Sequence, residues 1–124
     1  MFTKTIKFTD FNNIEREETY YFDLSEAELV DMEMGTTGGL SEKLKKVVET
    51  KDNSAIVKFF RELILKSYGV KSDDGKRFIK SEELSTAFSQ TRAFSNMYVE
   101  MLKNEEKAAE FVNALIVQPS ADAQ

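Results

Sequence analysis

Apolar residues change their spacing once along this chain, at Ser25, and that switch sets the fold class. Before it the spacing is two. In residues 2–8, Phe2, Ile6 and Phe8 share a face with Lys4, and Thr3, Thr5 and Lys7 lie opposite. In residues 18–24, Tyr20, Phe22 and Leu24 share a face against Thr19, Tyr21 and Asp23. Alternation of aromatic and β-branched residues is the mark of a half-buried strand. Asp10, Asn12 and Asn13 lie between the two runs and are turn formers. The pattern predicts a β-hairpin over residues 2–24. An isolated hairpin is marginal, so this one must lie on helices or pair with another copy.

After Ser25 the spacing becomes helical. Ser25 and Glu28 form a capping box ahead of Leu29 and Val30, which predicts a helix from Glu26 to Met34. Gly35-Thr36-Thr37-Gly38-Gly39 interrupts it, and Leu40, Leu44, Val47 and Val48 mark a second helix. The clearest stripe follows: Ile56, Phe59, Phe60, Leu63, Ile64 and Tyr68, with Gly69 placed as a C-terminal cap. This helix is expected to be central to the core. Residues 70–79 enclose Ser72-Asp73-Asp74-Gly75-Lys76, the signature of a small hairpin or an ordered loop. Ser81 opens a helix carrying Leu84, Ala87 and Phe88, and Phe94, Met97, Tyr98, Met101 and Leu102 mark another. Asn104 is placed to cap a last helix carrying Ala108, Phe111, Val112, Leu115 and Ile116. The expectation is a mainly α chain with a small N-terminal β-hairpin (α+β), as a compact bundle of five to six short helices. It forms one domain over residues 1–117, with the hairpin at 2–24 and the helices at 26–117. Residues 118–124 are expected to be a disordered tail.

The 124 residues suffice for one core without covalent staples. The chain has no Cys and no His, which excludes thiolate nucleophiles, Cys or His zinc sites and histidine bases. A net charge of −5 lacks the basic excess that phosphate binding needs, so nucleic acid is not expected as a partner. No apolar run reaches the roughly 18–20 residues of a membrane span, and the start MFTKTIKFTD lacks a signal-peptide core, so a cytoplasmic protein is expected.

Several motifs invite chemistry and fail on spacing. Asp73-Asp74-Gly75 could begin an EF-hand loop, but Leu84 stands where the twelfth-position Glu belongs, so a plain turn is expected. Gly38-Gly39 has no Gly-Lys-Ser/Thr after it, as a phosphate loop requires. Glu15, Glu17 and Glu18 beside Arg16 are better placed to protect a strand edge than to act as an acid–base pair. A deep pocket holding two or more of Glu15, Glu17, Lys76 and Lys80 would revive an enzyme reading. No catalytic residue, cofactor or metal is expected. The stripe Phe94, Met97, Tyr98 and Met101 is the candidate partner-binding surface, because methionine-bearing apolar faces adapt to varied partners. The same stripe also satisfies the requirements of a core.

The runs KTIKFTDFNNIEREETYYFDLSEAELVDME, FFRELILKSYGVKSDDGKRFIKSEELSTAFSQTRAFSNMYVEML and EKAAEFVNALI resemble the tail assembly chaperones of long-tailed phages of Gram-positive hosts. The resemblance covers the chain from about Thr3 to Ile116 and carries no catalytic signature. It implies a protein that acts in the cytoplasm of the infected host. It also implies that the protein binds the tape measure protein, keeps it soluble and helps recruit tail tube protein. Such a chaperone is then absent from the mature virion. Many copies along a rod-shaped client add avidity, so self-association is expected, with the hairpin edge as a candidate surface. The competing reading is a structural tail or head–tail joining protein retained in the virion.

Overall fold

The computed structural model describes residues 1–34 and 53–116, with side chains described in the second segment from Ser54. The expected hairpin is present as β1 (Phe2–Thr9) and β2 (Glu15–Phe22), paired antiparallel from Phe2↔Phe22 to Thr9↔Glu15. Its turn follows from the residues found there. The Asp10 carboxylate accepts from the N–H groups of Asn12 (2.8 Å) and Ile14 (3.0 Å). The N–H of Asn13 donates to the Asp10 carbonyl at 3.0 Å. Asn13 adopts φ 62°, the left-handed conformation that asparagine tolerates best after glycine.

The hairpin is the first half of a larger sheet. β3 (Tyr68–Lys71) pairs antiparallel with β2 through Tyr21↔Gly69 and Phe22↔Tyr68, and β4 (Phe78–Ile79) pairs with β3. The strand order is β1-β2-β3-β4. Residues 70–79 thus form the small hairpin, and Asp73-Asp74-Gly75 forms its turn. The Asp74 carboxylate accepts from the Ser72 hydroxyl (2.7 Å) and the Lys76 N–H (3.0 Å), and Gly75 takes φ 72°.

Helix α1 (Glu26–Met34) begins with the capping box read from the sequence: Ser25 N–H donates to Glu28 Oε1 (2.9 Å) and Glu28 N–H to Ser25 Oγ (3.1 Å). The expected helix around Leu40 to Val48 and the tail at 118–124 lie outside the described residues. Helix α2 (Asn53–Ser67) runs directly into β3. Its last residue, Ser67, is fully buried and donates its hydroxyl to Leu63 O (2.8 Å) and Ile64 O (3.2 Å), which satisfies carbonyls at the helix end. Gly69 is therefore a strand residue and not a helix cap. Its missing side chain has a different use: a Cβ there would lie 2.6 Å from Phe78 Cε2 and 2.8 Å from Ile79 O.

Helices α3 (Glu82–Ser89), α4 (Arg92–Lys103) and α5 (Glu105–Leu115) start at Ser81, Thr91 and Asn104, whose side chains accept from the first-turn N–H groups. Ser85 Oγ donates to Leu65 O at 2.8 Å and ties α3 to α2.

One core joins the inner face of the sheet to the helices. Phe22 is its hub, with ring contacts to Phe2, Tyr68, Phe88 and Phe111. Around it lie Ile6, Leu24, Leu63, Ile64, Phe94, Met97, Met101, Val112 and Leu115. The inward face of α2 is Leu63, Ile64 and Ser67; Phe60 is only half-buried and packs edge-on against Phe59. The fold is α+β, as expected, with five helices and four strands among the described residues.

Candidate functional site

The stripe proposed from the sequence lies on α4, with most of it turned inward. Phe94, Met97 and Met101 are buried in the core, and Tyr98 is half-buried. Tyr98 stacks on Phe94 at 5.5 Å and its hydroxyl reaches Val57 O at 3.4 Å. Of the two readings of this stripe, partner-binding face and core, the burial of Phe94, Met97 and Met101 supports the core. Its helical spacing is real, but α2, α3 and the sheet already fill the space over it, and Met97 is 1% exposed.

The apolar side chains that do face solvent lie elsewhere. Phe11 is 69% exposed and Ile14 is exposed at the tip of the β1–β2 hairpin. Arg92, at the start of α4, lies over the Phe11 ring at 4.5 Å. Val30 and Met34 are exposed one helical turn apart on α1, and Met34 is 83% exposed. Val70, Val99 and Leu102 are exposed on β3 and α4. Val30 and Leu102 belong to apolar helix faces legible in the sequence, whereas Phe11 and Ile14 stand among turn residues and were not singled out. The available signal was two large apolar side chains in a loop otherwise built of Asp and Asn.

The distal half of the hairpin is the most polar surface of the sheet. Arg16 Nε donates to the Asp10 carboxylate, which lies below its ordinary pKa chiefly because of that bond and the Ile14 N–H. Arg16 also lies 3.6 Å from Glu18, and Lys7 lies 3.6 Å from Glu17. An open groove beside it is lined by Lys7, Phe8, Thr9, Glu15, Arg16, Glu17 and Asn96. Glu15 and Glu17 do share this groove, but both side chains are solvent-exposed and Lys76 and Lys80 are not part of it. It is not the deep pocket that acid–base chemistry requires. Among the described residues no group of three or more His, Cys, Asp or Glu is placed to hold a metal ion, and no helix is long and apolar enough to cross a membrane.

Two ion-pair sets tie the sheet to the helices. Lys80 donates to both carboxylate oxygens of Glu28 (2.8 and 2.7 Å), which joins the end of β4 to α1. Burial works to raise the Glu28 carboxyl, but the Lys80 bonds and the Ser25 N–H outweigh it and hold the group below its ordinary value. Glu100 on α4 lies between Lys4 on β1 (2.8 Å) and Lys107 on α5 (3.1 Å). Lys4 is the main cause of its lowered pKa, with burial opposing and Lys107 assisting.

Comparison with curated proteins finds no match, and comparison with solved structures finds none. Comparison with protein families finds one, described as phage tail assembly chaperone, over residues 1–120. With the match running over nearly the whole chain, this protein belongs to the phage tail assembly chaperone family.

Proposed function

We propose that the protein binds the tape measure protein of its phage, keeps it soluble in the host cytoplasm and helps recruit tail tube subunits. It then leaves, so the mature virion lacks it. The observation that carries this reading is the family match over residues 1–120. The exposed apolar side chains at the hairpin tip, on α1 and on α4 support it, because a holdase needs apolar contacts available in its folded state. The function needs no catalytic step and no cofactor. Several copies on one long client would add weak contacts into firm retention, which favours self-association along the rod.

Co-expression tests the reading. With the chaperone present, the tape measure protein of the same phage is expected in the soluble fraction and co-purifies with it; an insoluble client in both conditions counts against the proposal. Mass spectrometry of purified virions is expected to find no copy of the chain. A stoichiometric copy in the particle would instead establish the structural-component reading.

A further inference from the structure

The β1–β2 hairpin has two long edges, and the fold treats them differently. In an antiparallel ladder, pairs that exchange N–H···O bonds alternate with pairs whose backbone groups point outward. Asp10 N–H donates to Ile14 O at 2.9 Å, so the alternation can be counted from that pair. It places Thr3, Thr5, Lys7 and Thr9 outward on β1, and Glu15, Glu17, Thr19 and Tyr21 outward on β2. Helix α4 attends the β1 edge, where Asn96 Nδ2 donates to the outward Lys7 carbonyl at 3.2 Å. On the other edge, Tyr21 pairs with Gly69 and the Asp23 N–H donates to Ser67 O. The β2–β3 register stops there, so Glu15, Glu17 and Thr19 face outward beyond its end.

We propose that this β2 edge, which pairs with no strand beyond Tyr21 among the described residues, accepts an extended, lysine- or arginine-bearing segment of another protein as an added strand. The inference deepens the client-holding reading and rests on it. Side chains from Glu15 to Thr19 are all exposed, so the edge is reachable. With Lys7 lying 3.6 Å from Glu17 and Arg16 facing Asp10 and Glu18, this end of the hairpin holds Asp10 and three glutamates against two cations, and Glu15 has neither cation as its neighbour in these pairs. Main-chain pairing recognises any extended segment, and the glutamates then select one of positive charge. A second copy added antiparallel about Glu17 would set Glu17 against Glu17, which disfavours self-pairing in that register.

The probe is a labelled ten-residue peptide alternating lysine and valine, with a glutamate–valine peptide as control, followed by fluorescence anisotropy on the full chain. The lysine peptide is expected to bind and the glutamate peptide is not. Glu17→Pro removes an outward N–H but keeps the bonds to β1, because Glu17 and Lys7 face each other without exchanging them. It is expected to weaken binding at least about tenfold, the equivalent of one lost main-chain bond with its strand contact. The deficit should persist in 0.5 M salt. The paired substitution Glu15→Lys with Glu17→Lys keeps the backbone and is expected to weaken binding at low salt, with the gap closing at high salt. Hydrogen exchange at Glu15, Glu17 and Thr19 should slow when the lysine peptide is added. Equal binding by folded Glu17→Pro, equal binding of both peptides, or unchanged exchange at these amides overturns the proposal. So does a dimer of the chain alone that Glu17→Pro dissociates, because the occupant would then be a second copy. If the tape measure protein stays soluble while these tests fail, the edge proposal falls and the holdase reading stands.

Discussion

Met97→Ala removes three heavy atoms from a side chain that is 1% exposed and lies in the core with Phe94 and Met101. At about 0.8 kcal/mol per buried methylene-sized group, the lost transfer energy is roughly 2.4 kcal/mol. The neighbours relax only in part, so a cavity penalty adds to it, and the total falls within the range of about 2–5 kcal/mol seen for such truncations. A domain of this size has a stability of about 5–15 kcal/mol. The loss is therefore a large share of the total and corresponds to a fall in Tm of roughly 10 °C or more. Urea melts followed by circular dichroism give the free energy, and a thermal melt gives the Tm. Met97→Asp should go further and unfold the chain, because an unpaired carboxylate would be placed in the same apolar site. The reasoning is refuted if Met97→Ala melts with the wild type. A variant that folds normally but no longer holds its client would return this stripe to the role of a binding face.

Other outcomes follow from the same geometry. Gly69→Ala is expected to cost about 1–3 kcal/mol in a denaturant melt, because its methyl group would overlap the Phe78 ring and the Ile79 carbonyl. Asn13→Val is expected to cost about 1–2 kcal/mol at φ 62°, while Asn13→Gly should be near neutral. Glu28 and Glu100 both lie below the ordinary glutamate value of 4.5. Lowered carboxylates stabilise the fold above their unfolded value, and that contribution is lost as pH falls through the folded value. Stability should therefore decline below about pH 4.5, and Glu28→Gln should flatten that decline by roughly 1 kcal/mol or less, since the Lys80 pair is partly solvated. Phe11→Ser is expected to change the melt by no more than about 1 kcal/mol, the cation–π contact with Arg92 included, while reducing client retention in the co-expression assay.

Local signals were readable and long-range ones were not. The alternation of Phe2, Ile6 and Phe8 against Tyr20, Phe22 and Leu24 told correctly which faces are buried, because a strand face depends only on neighbours two residues apart. Ser25, Ser81 and Asn104 marked helix starts for the same reason: a cap is made within one turn. Gly69 was misread because a glycine after a helical stripe serves equally as a cap or as a gap under a ring. Only the pairing of Tyr21 with Gly69, distant in sequence, decides between them. The α4 stripe left two readings open for a related reason. Helical spacing shows that one face is apolar but not what covers it, and here the core that includes Phe88, packed edge-on against Phe94, does. The exposed tip at Phe11 and Ile14 broke the expected pattern of a polar turn, and departures of that kind concentrate where a protein meets its partners.

Helix α2 ends at Ser67 and β3 begins at Tyr68, with no residue between them. A joint of one peptide bond leaves only the dihedrals of Ser67 and Tyr68 to absorb rotation, and Ser67 is fully buried with its hydroxyl bonded back to the helix. Peeling β3 from β2 at Tyr21 and Gly69 would therefore strain the last turn of the helix, where Leu63 and Ile64 are packed in the core. Covalent continuity thus ties the packing of the helical layer to the pairing in the middle of the sheet.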